Sequence, residues 1–315
     1  MAGTETQAPG TAAGDVDAVT ATVTSAVTST SLPKARSQWR RAWEKYCGNK
    51  LAVASLVICA LLVLAAILAP VISPYPYAKT NYDDHLASAF SRGHLFGADE
   101  LGRDLLSRLI YSMRSAFMVA LASQIVAVVL SVAIGLIAGY LGGLADQVLM
   151  GITDVMFAFP AYLFTIILVT IMGQSLLAVG LAIGIASWVT MARLMRGQVL
   201  AIKVKEYVEA GRAMGARGTT IATRYILPNT LGPILVTVSF GIPAAITAEA
   251  GLSLIGLGVA PPTPSWGNLI NTGRPYILSQ PHMLVAPTVL FAITVLAFSW
   301  VGDGLRDAFD LAEEV

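Results

Sequence analysis

Tyr207-Val208-Glu209-Ala210-Gly211-Arg212-Ala213-Met214-Gly215, followed by Tyr225-Ile226-Leu227-Pro228-Asn229, lies in a polar, positively charged island, residues 199–228, in a chain that otherwise reads as membrane. Its pattern is a short amphipathic helix, a Gly break, a second helix, and a Pro that opens another apolar span. Val204, Tyr207, Val208 and Gly211 recur at i, i+3, i+4 and i+7, one face of a helix, with Glu209 and Arg212 on the other side. Gly215 suits a helix C-terminus, where a left-handed residue is often needed. Ala210, Gly211, Ala213 and Gly215 leave little side-chain bulk, so this surface can enter a groove on another protein. An ordinary amphipathic connector between spans has the same local features, and the residues alone leave both readings open.

The membrane reading rests on composition. Hydrophobic residues make up 56% of the chain and charged residues 12%, against roughly 25% charged in a soluble domain. Mean hydropathy is +0.70. The net charge of +1 carries little, but its distribution bounds the spans. Residues 51–72, 115–145, 155–192, 225–248 and 275–302 hold no charge. A helix needs about 20 apolar residues to cross a hydrocarbon core. The run 155–192 would be about 57 Å of helix at 1.5 Å per residue, too long for one crossing, and Gly173-Gln174-Ser175 supplies a turn. The expectation is an all-α polytopic membrane protein with six transmembrane helices, roughly 51–73, 115–140, 149–172, 176–198, 229–255 and 283–302.

Lys and Arg orient these spans. With both termini inside, fourteen of the 20 lie on the cytoplasmic side, and the 199–228 loop lies there too. Residues 1–36, rich in Ala, Thr, Gly and Ser and without a basic start or apolar core, read as a disordered cytoplasmic tail rather than a signal peptide. Residues 37–50, with Trp39, Trp43 and Tyr46 among basic side chains, read as an interfacial helix. Residues 51–114 hold the first span and an outer segment, 115–310 the core of five spans, and 311–315 a C-terminal tail.

The spacing of the opening motif resembles the EAA loop of ABC importer permeases, by which a membrane subunit docks on its ATPase. Glu209, Ala210, Gly215, Leu227 and Pro228 match that pattern, while Gly211 replaces its second Ala and Tyr225 its usual Ile. A second stretch, His94-Leu95-Phe96-Gly97-Ala98-Asp99-Glu100-Leu101-Gly102-Arg103-Asp104, is similar to the segment before the second span in the C-type subunit of the dipeptide/oligopeptide/nickel permeases, which usually has Thr at position 98. Pro228-Asn229, Ala248-Glu249-Ala250, Gly256-Leu257-Gly258 and the ending Gly302-Asp303-Gly304-Leu305-Arg306-Asp307 are similar as well, so the resemblance spans roughly 36–310.

That resemblance implies a type I importer permease at the cell inner membrane, moving peptides. Its expected partners are a B-type permease, two ATPase subunits or domains and an extracytoplasmic substrate-binding protein, with the bilayer around it. ATP and Mg would sit on the ATPase subunits and no cofactor on this chain. Glu209, Ala210, Gly211, Arg212, Ala213 and Gly215 would couple to the ATPase. Asp99, Glu100, Arg103 and Asp104 are outer-segment candidates; a helix cap held by local ion pairs is the plainer reading of the same residues.

Glu249 lies near the outer end of the fifth span, where an ionisable group is costly and a functional candidate by default. Lining the translocation path, hydrogen-bonding a neighbouring helix, and meeting interfacial water all fit. Asp154 opens the expected third span, where a carboxylate suits a helix N-terminus. Gly135-x-x-x-Gly139 and Gly180-x-x-x-Gly184 permit close helix packing. Cys47 and Cys59, with His85, His94 and His282, form neither a disulfide framework nor a metal set. No phosphate-binding Gly-x4-Gly-Lys-Ser/Thr loop, catalytic constellation or nucleic-acid module is visible, so the chain is not expected to be an enzyme. A proton-coupled carrier using Glu249 and Asp154, a non-transporting scaffold, and an ABC importer of nickel or another solute are the alternatives.

Overall fold

The computed structural model describes residue 3 and residues 38–310. The expected tails at 1–36 and 311–315 lie outside the described residues, Gly3 aside. The chain falls into two compact units, 1–41 and 42–315. Of the first, Gly3 and the opening turn of helix α1 (Gln38–Gly48) are described; all contacts below belong to the second.

Asn49 divides α1 from α2 (Lys50–Ile67), and its Oδ1 accepts from the Leu51 and Ala52 N–H groups at 3.1 and 3.2 Å. Such a cap satisfies donors that have no partner inside the helix. Along α2, Leu51, Val57, Leu61, Leu64 and Ile67 are exposed, an apolar surface that suits lipid rather than water. Pro70 opens the short α3 (Ala69–Ile72), where a missing N–H does no harm. Residues 73–104 hold a 3-10 turn at Tyr82–Asp84 and two isolated bridges, Ser91 with His94 and Ala98 with Asp104.

Helix α4 (Leu105–Leu141) has 37 residues, about 56 Å of rise. It starts ten residues before the expected 115, because a search for charge-free runs stops at Arg108 and Arg114, which the helix includes. Its true start is set by Asp104, whose Oδ2 accepts from the Ser107 N–H at 2.7 Å.

The expected straight span 149–172 is instead two helices, α5 (Gly143–Ala158) and α6 (Ala161–Met172), bent by 90°. Pro160 sits in the break; it has no N–H to continue a helix and its ring crowds the preceding turn. The turn at 173–175 is as the sequence indicates: Gly173 takes φ +91°, and Ser175 caps α7 (Leu176–Ile202) by accepting from the Ala178 N–H at 3.2 Å.

After α8 (Glu206–Ala213) and the short α9 (Gly218–Thr220), a π-helical stretch at Ile221–Ile226 leads into α10 (Leu227–Leu254). Pro233 and Pro243 interrupt the ladder of α10, and the Thr237 and Thr247 hydroxyls donate to their carbonyls at 2.8 Å. Helix α11 (Trp266–Gly273), a 3-10 turn at Arg274–Tyr276 and α12 (His282–Asp310) complete the described chain. Among the described residues five helices are long and apolar enough to cross a membrane, six if the bent pair counts as one span.

The centre of the fold is the contact between α4 and α7. Both Gly-x-x-x-Gly pairs face it. A Cβ at Gly135 would come within 2.7 Å of the Ala192 carbonyl and of Met195 Cβ, and one at Gly139 within 2.8 Å of Val199 Cβ. From the other side, a Cβ at Gly180 would meet Ala122 Cβ at 2.7 Å, and one at Gly184 the Ser123 carbonyl at 2.6 Å. Without side chains at these four positions the backbones approach closely, the usual source of helix association in lipid. Around this pair, α10, α11 and α12 pack on Val119, Ile183, Ile246 and the fully buried Trp266. Tyr46 and Ala52 close on Ala308, while Lys45 Nζ donates to the Asp307 carbonyl near the end of α12.

Two glycines on α7 and α4 test this contact in opposite directions. Gly135→Ala should lower the melting temperature in detergent, because overpacking of about 1–3 kcal/mol outweighs a helix preference of about 1 kcal/mol. Gly197→Ala should raise it, since a Cβ there meets nothing within 4 Å. Equal shifts for the two variants would mean that α4 and α7 do not pack backbone to backbone.

Candidate functional site

The 199–228 segment is a preformed, anchored projection. Helix α7 ends at Ile202, and Lys203 Nζ donates to the Gly139 carbonyl at 2.8 Å, tying the exit of α7 to the last turn of α4. Val208 is fully buried among Met195, Val199, Ile202, Ile221, Ile226 and Ile234. The C-terminus of α8 closes in a Schellman motif: the Ala216 N–H donates to the Gly211 carbonyl at 3.0 Å and the Gly215 N–H to the Arg212 carbonyl at 2.9 Å, with Gly215 at φ +82°. Glu209, Ala210, Arg212, Ala213 and Gly215 are exposed, as are the apolar Val204, Tyr207 and Met214.

Two sequence readings of this helix change. Val204 precedes α8 and is exposed, so the buried stripe is Val208 and Gly211, not the set of four. Gly211 points inward: a Cβ there would stand 3.3 Å from the Tyr225 ring. Its small size serves the internal contact rather than an outward docking face. Gly211 and Tyr225 are also the two departures from the motif noted above, and they touch each other. A ring in place of a branched aliphatic chain fits because the facing residue has no side chain.

Carboxylates bind the same end of the bundle together. Asp146, in the first turn of α5, takes two hydrogen bonds from Arg196, at 2.5 and 2.6 Å. Asp154 pairs with Arg193 at 2.6 Å, and the Arg193 guanidinium lies 4.2 Å from the centre of the Phe157 ring. Asp154 thus does not sit at a helix N-terminus, because α5 begins at Gly143; Asp146 holds that place. In the sequence, Arg193 and Arg196 are two of the fourteen basic residues assigned to the cytoplasmic side. The two carboxylates eight residues apart, facing two Arg three apart, were the available sign of a clamp.

At the opposite end, Asp99, Arg103 and Asp104 are buried together and Glu100 is half-buried. Asp99 accepts from the Leu101 and Arg103 N–H groups at 2.9 and 3.0 Å and from Arg103 Nε at 2.7 Å. Asp104, besides capping α4, meets His94 Nδ1 at 2.7 Å, and His94 Nε2 stands 3.4 Å from Asp84. Burial pulls the His94 pKa down, but its bonds and charge pairing with Asp104 and Asp84 outweigh this and hold it above the ordinary 6.5. These residues fold the outer segment onto the start of α4.

Glu249 is 1% exposed. Its Oε1 accepts from Ser253 Oγ at 2.6 Å, and Ser253 Oγ lies 2.9 Å from Ser265 Oγ, the cap of α11. The carboxylate therefore sits where α10 meets α11. A cavity of about 340 Å³ lies among α4, α6, α7 and α10; Ala248 lines it and Glu249 does not.

The sequence was compared with known proteins. The family described as the inner membrane component of binding-protein-dependent transport systems matches residues 131–313. The N-terminal transmembrane domain of oligopeptide transport permease C matches residues 37–89. The chain is 39% identical to the oligopeptide transport system permease protein OppC of Bacillus subtilis over 280 residues, covering 88% of this chain and 90% of that protein. It is 40% identical to the glutathione transport system permease protein GsiD of Pectobacterium atrosepticum, covering 87% and 91%. It is 37% identical to the dipeptide transport system permease protein DppC of Alkalihalophilus pseudofirmus, covering 87% and 90%.

The Gly211–Tyr225 contact generates a double-mutant cycle. Gly211→Ala should destabilise the protein while Tyr225 is present, and should stabilise it by about 0.5–1 kcal/mol, the intrinsic helix preference, once Tyr225→Ile removes the ring. Thermal unfolding of the four proteins measures the coupling. Additive effects would mean that the two departures are independent.

Proposed function

We propose that this chain, which belongs to the family of binding-protein-dependent transport system inner membrane components, is one of two permease subunits of an ATP-driven peptide importer. The observation that carries the proposal is the capped, internally anchored helix at Glu206–Ala213, which turns Glu209, Ala210, Arg212 and Ala213 outward while Val208 locks it to the bundle. Such a part transmits displacement. A push on α8 reaches α7 through Val208 and α4 through Lys203, so closure of an ATPase dimer beneath it would tilt the two central helices together. Alternating access follows when the second permease tilts in step.

The remaining partners are a B-type permease, two ATPase subunits carrying ATP and Mg, and an extracytoplasmic binding protein that delivers substrate. The chain itself is a permease rather than an ATPase. It sits in the cell inner membrane with both termini and the 199–228 loop in the cytoplasm, the orientation favoured by Lys and Arg. Peptides are the substrate class that the names of the relatives share, glutathione being itself a tripeptide. A proton-coupled carrier would need a titrating carboxylate on the path, and Glu249 does not line the cavity.

Docking is tested on the outward face alone. Gly215 has open space around it, so Gly215→Val acts through its left-handed backbone, at about 1–2 kcal/mol, and Ala210→Trp through steric exclusion of the partner. The double mutant should insert normally but fail to co-purify with the ATPase subunits, or lose substrate-stimulated ATP hydrolysis. Normal co-purification together with normal stimulation would remove the basis for a coupling role.

Orientation is tested by labelling from outside in a background lacking Cys47 and Cys59. A cysteine replacing the exposed Phe90 should react with an impermeant maleimide, and one replacing the exposed Arg217 should not. The reverse pattern would place the loop away from ATP.

A further inference from the structure

We propose that Gln124 and Ser123 of α4 form a subsite for the peptide backbone of the substrate in the wall of the 340 Å³ cavity. The proposal rests on the reading of the chain as a peptide permease and deepens it by naming the groups that meet the cargo.

The cavity lies between α4, α6, α7 and α10, and Tyr162, Thr190 and Ala244 are exposed where it reaches the subunit surface. Three of its seven polar side chains are already engaged. Thr165, Ser187 and Thr237 donate to the carbonyls of Ala161, Gly184 and Pro233 on their own helices, at 2.8, 3.3 and 2.8 Å. Of the other four, Tyr162 and Thr190 are exposed, whereas Ser123 and Gln124 are buried. Ser123 Oγ is fully buried and has no hydrogen-bond partner among the described residues. Gln124 is 7% exposed, and its carboxamide makes no hydrogen bond among the described residues. Buried polar groups are ordinarily paired, so two adjacent unpaired ones at a cavity wall mark where a partner belongs.

Gly241 holds the space open. A Cβ there would run into the Gln124 carboxamide, coming within 2.7 Å of Cδ and 2.8 Å of Nε2. The amide therefore faces the α10 backbone with no side chain in between.

The chemistry of the pair selects the ligand. No Asp, Glu, Lys or Arg lines the cavity, so neither a cation nor an anion is held by charge. A carboxamide offers one acceptor and two donors, and a peptide group offers the complementary donor and acceptor in the same planar geometry. Gln124 can bond a passing peptide unit through both its N–H and its carbonyl, with the Ser123 hydroxyl able to donate or accept beside it. Every residue of a peptide carries this unit whatever its side chain. A neutral, backbone-reading wall would admit peptides of differing side-chain charge and release them, as passage requires binding that is favourable but weak.

The test uses the assembled transporter, permeases with ATPase subunits and binding protein, in proteoliposomes supplied with trialanine or with trialanine methylated on its backbone nitrogens. Gln124→Met keeps the side-chain length and removes both hydrogen-bonding functions. Trialanine uptake should fall about fivefold, the effect of one hydrogen bond, and the preference of the wild type for trialanine over its N-methylated form should shrink by the same factor. Co-purification and binding-protein-stimulated ATP hydrolysis should be unchanged. The binding protein is common to both transporters, so its own preference cancels in the comparison.

Unchanged uptake, or a loss equal for both peptides, would overturn the subsite while leaving the peptide reading in place. Where Gln124→Met does not assemble, Ser123→Ala, which removes a single oxygen, is measured by the same ratio, and the same two results would overturn the subsite. Failure of the wild type to import either trialanine or glutathione would instead sink the peptide reading, and the subsite with it.

Discussion

The backbone contact between α4 and α7 sets the terms for the rest of the molecule. In lipid, two apolar helices gain little from hiding from one another, since the tails around them are equally apolar; close packing and polar links have to hold them. Four glycines supply the first. Gly135 and Gly139 admit Met195 and Val199, and Gly180 and Gly184 lie against Val119, Ala122 and Ser123. Polar links finish the joint at one end, where Lys203 reaches Gly139 and Arg196 grips Asp146. Because α4 runs 37 residues and α7 runs 27, the joint extends over most of the fold. The two helices are thereby packed as one unit, to which the neighbouring elements attach.

The projecting loop is one such element. Met195 and Val199 touch the α4 glycines on one side and belong to the apolar cluster that buries Val208 on the other. The same two side chains therefore connect the interhelical seam to the root of α8. No separate wire is needed to carry force from loop to bundle. The Schellman closure at Gly215 keeps the last turn of α8 from fraying, so a load on its outward face is passed inward rather than absorbed.

Much of this was legible in the sequence. Charge-free runs located the spans, Gly173 to Ser175 marked a true turn, and the glycine pairs announced a close helix contact. The spacing of Glu209, Gly215, Leu227 and Pro228 singled out the projecting loop. One departure comes from treating charge as a boundary. Arg108 sits inside α4 because Asp99, folded back from the outer segment, lies 3.4 Å from its Nε, and its Nη1 donates to the Tyr77 carbonyl at 3.3 Å. No local rule reveals a partner supplied by the preceding loop. The 90° bend at Pro160 was missed because apolar length was weighed and the proline was not. Which way Gly211 faces depends on Tyr225, fourteen residues on, and periodicity places a residue on a stripe without saying what the stripe meets.

The distribution of charge then explains why the cavity wall is neutral. A charged side chain within a bilayer is costly unless it is paired or lies near an end. Here Asp146, Asp154, Arg193 and Arg196 pair at one end, and Asp84, His94, Asp99, Arg103, Asp104 and Arg108 gather at the other. Between them, the cavity wall holds hydroxyls and the Gln124 carboxamide, and Glu249 is buried outside it where α10 meets α11. Half of the wall's hydroxyls, those of Thr165, Ser187 and Thr237, are bonded to carbonyls on their own helix, leaving few groups free to engage a passing solute. A wall of that kind cannot select cargo by charge. This chain's side of the cavity offers a solute hydrogen bonds and apolar contact alone.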